Sequence, residues 1–398
     1  MIPYANRILC AGFYSISAIS NVSAISSEAI AAPRINLGFN ALSTQSNSAI
    51  TSHLQLSAQN FYTQKTEIRT LKPGPTSNPI EHWWNQSVYS APLHPNSAGQ
   101  IATLVNVGGF GLGRMQIDFA IKVVRSQPGD KLLPIVPNRF GYYAADGEPV
   151  GTLIPVPSTA SIEGSEGMHC DIGQNDCHYI VRSDNLLYET WHTSISDDQL
   201  QTQVLAIWDL NKAIPESGQG DHCTSADAAG FPIEPLLWNA DEVLAALERD
   251  KSGHGDIGHA IRFVLPNARI ANDPDMGGKS GRLYVRPASH AGAPKGPKNS
   301  IAYGSRLRLR ADFPTNGYNP AAQVMINTMK RYGIALADGG NIALTAESDR
   351  YTQTKWRKLG INSRTFAATL GGQPIKADDF EVIDTGPRIA ETFNCVRN

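Results

Sequence analysis

From about residue 80 onward the chain is written as short apolar runs, each closed by a turn signal. That punctuation limits its fold more than any other feature. The run 132–136 ends at Pro137-Asn138, and 150–156 alternates around Gly151 and Pro155. Runs 178–181 and 186–191 flank Ser183-Asp184-Asn185, which reads as a β-hairpin. Segments 203–210, 260–265 and 306–313 read as further strands. The last alternates polar and apolar residues cleanly, so one of its faces is solvated or polar-lined. Two helices stand out. Residues 240–247 form a short one. A better one opens at Asn319-Pro320, with Asn319 as N-cap and Pro320 in the first helical position. Val324, Ile326, Met329 and Tyr332 supply its apolar positions, and Gly333 is the natural stop. With 35 Gly and 25 Pro, the chain is not a helical bundle. The expected fold is mainly β: a β-sandwich or jelly-roll-like body with a few short helices, occupying one domain over 79–398.

Composition narrows the function class. At 41% hydrophobic and 18% charged residues, the chain can bury a sizeable core. Its formal charge of −2 argues against a dedicated nucleic-acid binder, which carries a basic stripe. No uncharged apolar run after the N-terminus is long enough to span a membrane. Residues 1–31 read as a signal peptide: Arg7 precedes an apolar stretch that closes at Ala29-Ile30-Ala31. Ser15, Ser17, Ser20 and Asn21 dilute that stretch, and a disordered tail is the alternative. Residues 32–78, rich in Ser, Asn and Thr, read as an arm or linker, bounded by Lys72-Pro73-Gly74-Pro75. Loss of Cys10 with the signal would leave Cys170, Cys177, Cys223 and Cys395, an even set. The expected pairing joins Cys170 to Cys177 across a turn-like segment. His169-Cys170 and Cys177-His178 mirror each other, so a metal site is the alternative, but their spacing is wider than the usual C-x₂₋₄-C. An exported chain favours the disulfide.

Familiar motifs fail their tests. After Gly109-Phe110-Gly111 the third glycine of a dinucleotide loop is Arg114. Gly278-Lys279-Ser280 lacks the first glycine of a phosphate loop, because Asp273 stands there. His254-Gly255-Asp256-Ile257-Gly258-His259 has metal-capable side chains, but its glycines speak against a helical metal face. It reads as a turn entering a strand. No cofactor and no metal is expected.

Several segments resemble a family of secreted bacterial proteins of unassigned activity. Residues 224–233 resemble its T-S-A-D-A-A-G-x-P-I signature. Asp176-Cys177-His178-Tyr179-Ile180-Val181 resembles D-R-H-x-L-V, with Cys177 in place of Arg, and Leu187-Tyr188-Glu189 resembles L-Y-E. Gly258-His259-Ala260-Ile261-Arg262-Phe263 resembles R-H-A-L-R-F. Residues 284–290 resemble Y-V-W-P-A-R-H, with Arg286 and Ser289 as departures. Lys330-Arg331-Tyr332-Gly333 and Leu336-Ala337-Asp338-Gly339-Gly340 resemble K-R-Y-G and L-A-D-N-G. The resemblance spans about residues 80–385 and implies an extracellular fold. It implies no particular reaction.

The candidate chemistry rests on residue types. A glycoside hydrolase needs two carboxylates, one to protonate the leaving oxygen and one to attack or to activate water. Asp118, Glu189, Asp227 and Asp338 are the candidates, with His178, His259 and His290 in support. A polysaccharide lyase acting on a uronic-acid polymer would use His or Tyr to take a proton and a cation to neutralise the substrate carboxylate. His178, His259, His290, Tyr188 and Arg262 suit that role, and Trp84 offers a sugar-stacking ring. Each residue also has a plainer reading. Asp227 could cap a turn, His178 could be a satisfied core histidine, and Tyr188, Trp191 and Trp84 could simply pack. Arg306, Arg308 and Arg310 read as a solvated strand face. Placing the hairpin turn near Asp184 pairs His178 with Thr190 and sends His178 and Glu189 to opposite faces. The leading expectation is a secreted glycosidase whose partner is a polysaccharide. A lyase is the first alternative and a non-catalytic carbohydrate-binding surface protein the second.

Overall fold

The computed structural model describes residues 81–171, 176–367 and 373–398. The signal peptide and arm expected over 1–78 lie outside the described residues. The described strands are, in chain order, β1 (Ile117–Asp118), β2 (Val123–Arg125), β3 (Lys131–Pro137), β4 (Leu153–Val156), β5 (Tyr179–Ser183), β6 (Leu186–Trp191), β7 (Ser194–Ser196), β8 (Gln199–Thr202) and β9 (Val204–Asp209). They continue with β10 (Gly220–Asp221), β11 (Ile261–Leu265), β12 (Leu283–Tyr284), β13 (Arg306–Leu309), β14 (Ile334–Gly339), β15 (Leu344–Thr345), β16 (Phe380–Val382), β17 (Ile389–Ala390) and β18 (Val396–Arg397). Helices α1 (Ser97–Asn106), α2 (Ala240–Arg249) and α3 (Pro320–Arg331) pack among them. The body is mainly β, as the alternation of short runs and turns predicts.

The sheets are more varied than alternation suggests. The largest has six strands in the order β1-β15-β11-β14-β13-β16. It is mixed: β11 runs parallel to β14 and β1 to β15, while β13 lies antiparallel to both β14 and β16. All five residues of β11 are buried, the mark of a strand covered on both faces. Helix α3 supplies one cover, with Val324, Met325, Ile326 and Met329 buried in the same core as Ile261, Phe263 and Leu336. Its ends match expectation. Asn319 Oδ1 accepts from Ala322 N at 2.8 Å, and Gly333 takes φ 72°. A side chain at 333 would also meet the Leu307 carbonyl, so glycine is required there. A four-stranded sheet β2-β5-β6-β9 and another, β4-β3-β8-β7, share a second core that includes Ile135, Ile154, Tyr179 and Leu205.

Two local expectations are corrected. The β5–β6 hairpin is one residue out of the expected register. Tyr179, not His178, pairs with Thr190, and Ile180 pairs with Glu189. His178 and Glu189 therefore share a sheet face, because the side-chain period is two. Of the arginine row read as a solvated face, Arg310, just past the end of β13, is exposed, but the two arginines within β13 are not solvated. Arg306 is 5% exposed and donates to the carbonyls of Tyr332, Trp83 and Gln86 at 2.7–3.0 Å. Arg308 donates to the carbonyls of Val88, Tyr89 and Ala91 and pairs with Glu381. These guanidiniums satisfy the backbone of residues 83–91, which has no sheet partner of its own there. Trp83 and Trp84 stay in the core beneath them, 7% and 4% exposed.

Both cysteine pairs are bonded. Cys170 joins Cys177, with a Cα separation of 5.9 Å, so the expected bridge is present. Cys223 joins Cys395, closing 172 residues of chain. In a chain-entropy account a loop of that size stabilises the fold by about 2–5 kcal/mol. Converting Cys223 and Cys395 together to Ser should lower the unfolding free energy in guanidinium melts by about that amount. The same double change at Cys170 and Cys177, which encloses a short loop, should cost less.

Candidate functional site

One cavity, of about 590 Å³, gathers residues from distant parts of the chain. Its floor is made by the segment 224–228 together with Asp338, and its walls include Trp191, Tyr143, His290 and Phe393. Four of the segments quoted for the family resemblance meet here.

The loop that carries Asp227 is built from its own hydroxyls. Ser225 Oγ accepts from Asp227 N at 3.0 Å and donates to the Phe231 carbonyl at 2.6 Å. Thr224 Oγ1 donates to the Asp227 carbonyl at 3.2 Å. Gly230, at φ 77°, lies so close to Ser289 Oγ and the Cys223 carbonyl that a Cβ would collide with both. Serine thus does the capping that Asp227 could have done, and the Asp227 carboxylate is free to turn inward.

There it meets Arg262 of β11. Asp227 Oδ1 accepts from Arg262 Nε at 2.9 Å and from Nη2 at 2.6 Å, and the same Nη2 donates to Asp338 Oδ2 at 3.0 Å. Arg262 Nη1 donates to Thr345 Oγ1 at 2.9 Å. A β-bulge makes this arrangement possible. Arg262 pairs with Ala335 and Phe263 with Leu336, but Val264 pairs with Asp338, skipping Ala337. In an unbroken register Val264 would pair with Ala337, and Asp338 would point to the opposite face from Arg262. Because one nitrogen holds both acids, at 2.6 and 3.0 Å, their bound oxygens are at most about 5.6 Å apart.

The charge state follows from burial. Two carboxylates face one guanidinium away from water, so one acid is better neutral. Burial pushes Asp227 up to about 8 against the opposing pull of Arg262. Asp338 is also raised by burial, but it keeps Arg262 and the Gly339 N–H, at 2.6 Å, as donors and is 19% exposed at its side chain. Near neutral pH the proton therefore belongs to Asp227. Its Oδ2 is buried without a hydrogen-bond partner among the described residues, and Oδ1 accepts from Arg262.

His178 lies behind the floor rather than in it. It is 2% exposed and donates from Nδ1 to Glu163 Oε2 at 2.6 Å and from Nε2 to the Ala226 carbonyl at 3.0 Å. Burial alone would lower its pKa, but the Glu163 carboxylate outweighs burial and holds it at about 9. As an imidazolium it donates from both nitrogens and props the backbone one residue before Asp227. His290 lines the cavity. Its Nδ1 donates to the Ala228 carbonyl at 2.7 Å, and burial lowers its pKa, so the ring is neutral with Nε2 as acceptor. Phe393 stacks on it at 5.2 Å, and Arg282 sits 4.8 Å above Phe393.

Of the residues singled out from the sequence, Asp227, Asp338 and His290 line the cavity, with Arg262 and His178 directly behind. The others are placed elsewhere. Glu189 is fully buried, accepting from Trp208 Nε1, Ile233 N and Glu234 N at 2.8–3.0 Å, so it is a structural acid that pins the 233–234 turn to β6. His259 faces Glu242 of α2 at 3.2 Å. Asp118 Oδ1 accepts from Ala120 N at 2.9 Å, within its own turn. Trp84 stacks on His82 in the core, and Tyr188 packs against the second core. Residues not foreseen are Asp146, Asp176, Tyr143, Arg282 and Phe393 in the lining, and Glu163 behind it. Glu163 lies in a Gly- and Ser-rich stretch with no periodicity to mark it. Asp176 and Trp191 were visible as types, and their Nε1–Oδ1 bond of 3.3 Å joins them at the wall. Asp146 lies beside the sulfurs of Cys223 and Cys395, which are bonded to each other and present no thiolate.

No family model matches the chain, and neither the curated proteins nor the solved structures include a significant match. The motif resemblance stands on its residues alone.

The His178–Glu163 pair has a defined pH window. His178 is raised from 6.5 to about 9, so its contribution is complete below 6.5 and fades as pH rises through 9. Glu163 is lowered from 4.5, so its contribution is complete above 4.5 and fades as pH falls below it. The stability lost in Glu163→Gln should therefore be greatest between about pH 4.5 and 6.5 and should shrink above 9. Its size is about 3 kcal/mol, read from urea melts across pH.

Proposed function

We propose that this cavity hydrolyses a glycan, with Asp227 as general acid and Asp338 as nucleophile. The observation that carries the reading is the pair of acids held on a single nitrogen of Arg262 at the floor of an aromatic-walled cavity. In the first step the Asp338 carboxylate attacks the anomeric carbon while Asp227 Oδ2–H gives its proton to the glycosidic oxygen. The C–O bond breaks, the shortened glycan leaves as an alcohol, and a glycosyl ester on Asp338 remains. In the second step Asp227, now a carboxylate, takes a proton from water as that water attacks the anomeric carbon and releases Asp338. Bound oxygens no more than about 5.6 Å apart suit this double displacement with retained configuration better than the wider gap of an inverting site. Arg262 positions both acids and stabilises Asp338 as an anion. Trp191 and Tyr143 offer apolar faces to sugar rings.

Elimination on a uronic-acid polymer is the second reading. It is favoured by Arg282 and the neutral His290 in the same lining, a cation and a base. Both readings agree with an oxidising, extracellular setting, supported by two disulfides. No helix among the described residues is long and apolar enough to cross a membrane.

Incubation with a panel of polysaccharides separates the readings. Hydrolysis yields reducing ends without ultraviolet absorbance, whereas elimination adds the absorbance of an unsaturated uronate. For hydrolysis, Asp227→Asn and Asp338→Asn should each lower kcat by about 10²–10⁴-fold. The rate should also fall as pH rises through about 8, where Asp227 loses its proton. Equal turnover by wild type and both variants would rule this assignment out.

A further inference from the structure

A row of rings leaves the cavity and runs onto the surface. Tyr143 and Trp191, in the wall, lie near-parallel with centroids 6.1 Å apart. Trp191 stacks on His192 at 3.7 Å, and His192 meets Phe140 at 6.0 Å. The two ends of the row are open to solvent: Phe140 is 54% and Tyr143 42% exposed. Residues this apolar and this exposed, arranged contiguously, mark an interaction surface.

The row is held in place before any ligand arrives. Asn138 Nδ2 donates to the His192 carbonyl at 2.8 Å, while Asn138 Oδ1 accepts from Phe140 N at 2.8 Å. Tyr143 N donates to the Gln203 carbonyl at 2.8 Å, and Gln203 N donates to the Trp191 carbonyl at 3.1 Å. The His192 side chain is bonded to Gln203, and burial lowers its pKa, so the ring is uncharged at neutral pH. Fixed rings cost less entropy on binding than mobile ones.

The occupant must suit both ends of this path. A lipid tail would fit the rings but would strand Asp146, Asp176, Asp227 and Asp338 in hydrocarbon. An anionic polymer would find a cation at the outer end, where Arg139 sits 4.8 Å from the Phe140 centroid, but inside the cavity it would meet those acids with Arg282 as the one charged cation among the described lining residues. A neutral sugar chain fits both ends: its C–H faces lie on rings and its hydroxyl edges bond to carboxylates.

We propose that Phe140, His192, Trp191 and Tyr143 form a track that binds neutral sugar units outside the cavity and leads the chain to Asp227 and Asp338. The direction of travel rests on the hydrolytic reading; the binding itself does not. The probes are native gels cast with xylan, hydroxyethyl cellulose, glucomannan or polygalacturonate, run with the full disulfide-bonded chain. At least one neutral polymer should retard the wild type. Phe140→Ala should weaken that retardation about 5–10-fold in apparent Kd, the loss expected for one exposed stacking ring. Phe140→Trp should restore it. Leu153→Ala, at a residue 51% exposed on β4, should leave it unchanged. Matched thermal melts of Phe140→Ala and wild type exclude misfolding. The track is overturned if no neutral polymer retards the wild type, if polygalacturonate alone does, or if Phe140→Ala behaves as wild type. If Asp227→Asn is retarded normally but wild type releases no reducing ends, the hydrolytic reading fails and the track stands.

Discussion

Arg262 is the interaction on which the centre of this molecule depends. It is 4% exposed, and a guanidinium so far from water is tolerable only with full pairing. Its donors go to Asp227 in the 224–230 loop, to Asp338 on β14 and to Thr345 on β15, so one side chain ties together three separate stretches. Removing one member of such a buried group leaves an uncompensated charge and typically costs about 3–5 kcal/mol. The stoichiometry matters as much as the pairing. With one cation and two acids, the group is neutral only when one acid keeps its proton. The cation that holds the loop in place draws both acids toward the ionised form, and burial is what keeps the proton on Asp227 against that pull.

Around that group the buried histidines divide their labour. His178 stands behind the floor as a charged strut between Glu163 and the Ala226 carbonyl. His290 stands in the wall as a neutral ring under Phe393. The same residue type is pushed to opposite charge states by a single difference, a carboxylate in direct contact in one case and a carbonyl in the other. Glu189 shows the counterpart among acids. It is as buried as Asp227, yet three hydrogen-bond donors use its lone pairs in the core, and it has no cavity to act on.

Much of the fold was legible from local pattern. The short runs became strands, Asn319-Pro320 opened a helix that Gly333 closed, and Cys170 found Cys177. Part of the site was legible too, because Asp227, Asp338, Arg262 and His290 were named by residue type and do come together. What local pattern misses is anything set by register or by distant partners. A single-residue shift moved His178 onto the face of Glu189, and the skipped Ala337 aimed Asp338 at Arg262. Alternation in β13 was correctly periodic, but the polar side met backbone carbonyls of residues 83–91 instead of water. The parallel pairs of the central sheet left no mark in the periodicity. Trp191 and Phe140 lie on different elements, so nothing in their spacing shows that their rings line up.

The bond between Cys223 and Cys395 has a consequence for the cavity wall. Cys395 lies two residues beyond Phe393, which supplies part of the wall. The central sheet and its acid pair are built from residues lying between 117 and 382, so neither depends on this segment. Pairing of β18 with β10 brings this segment to the wall, and the disulfide anchors it there. Reduction of this one bond would therefore loosen the side of the chamber that Phe393 supplies and leave the Arg262 acid pair where it is.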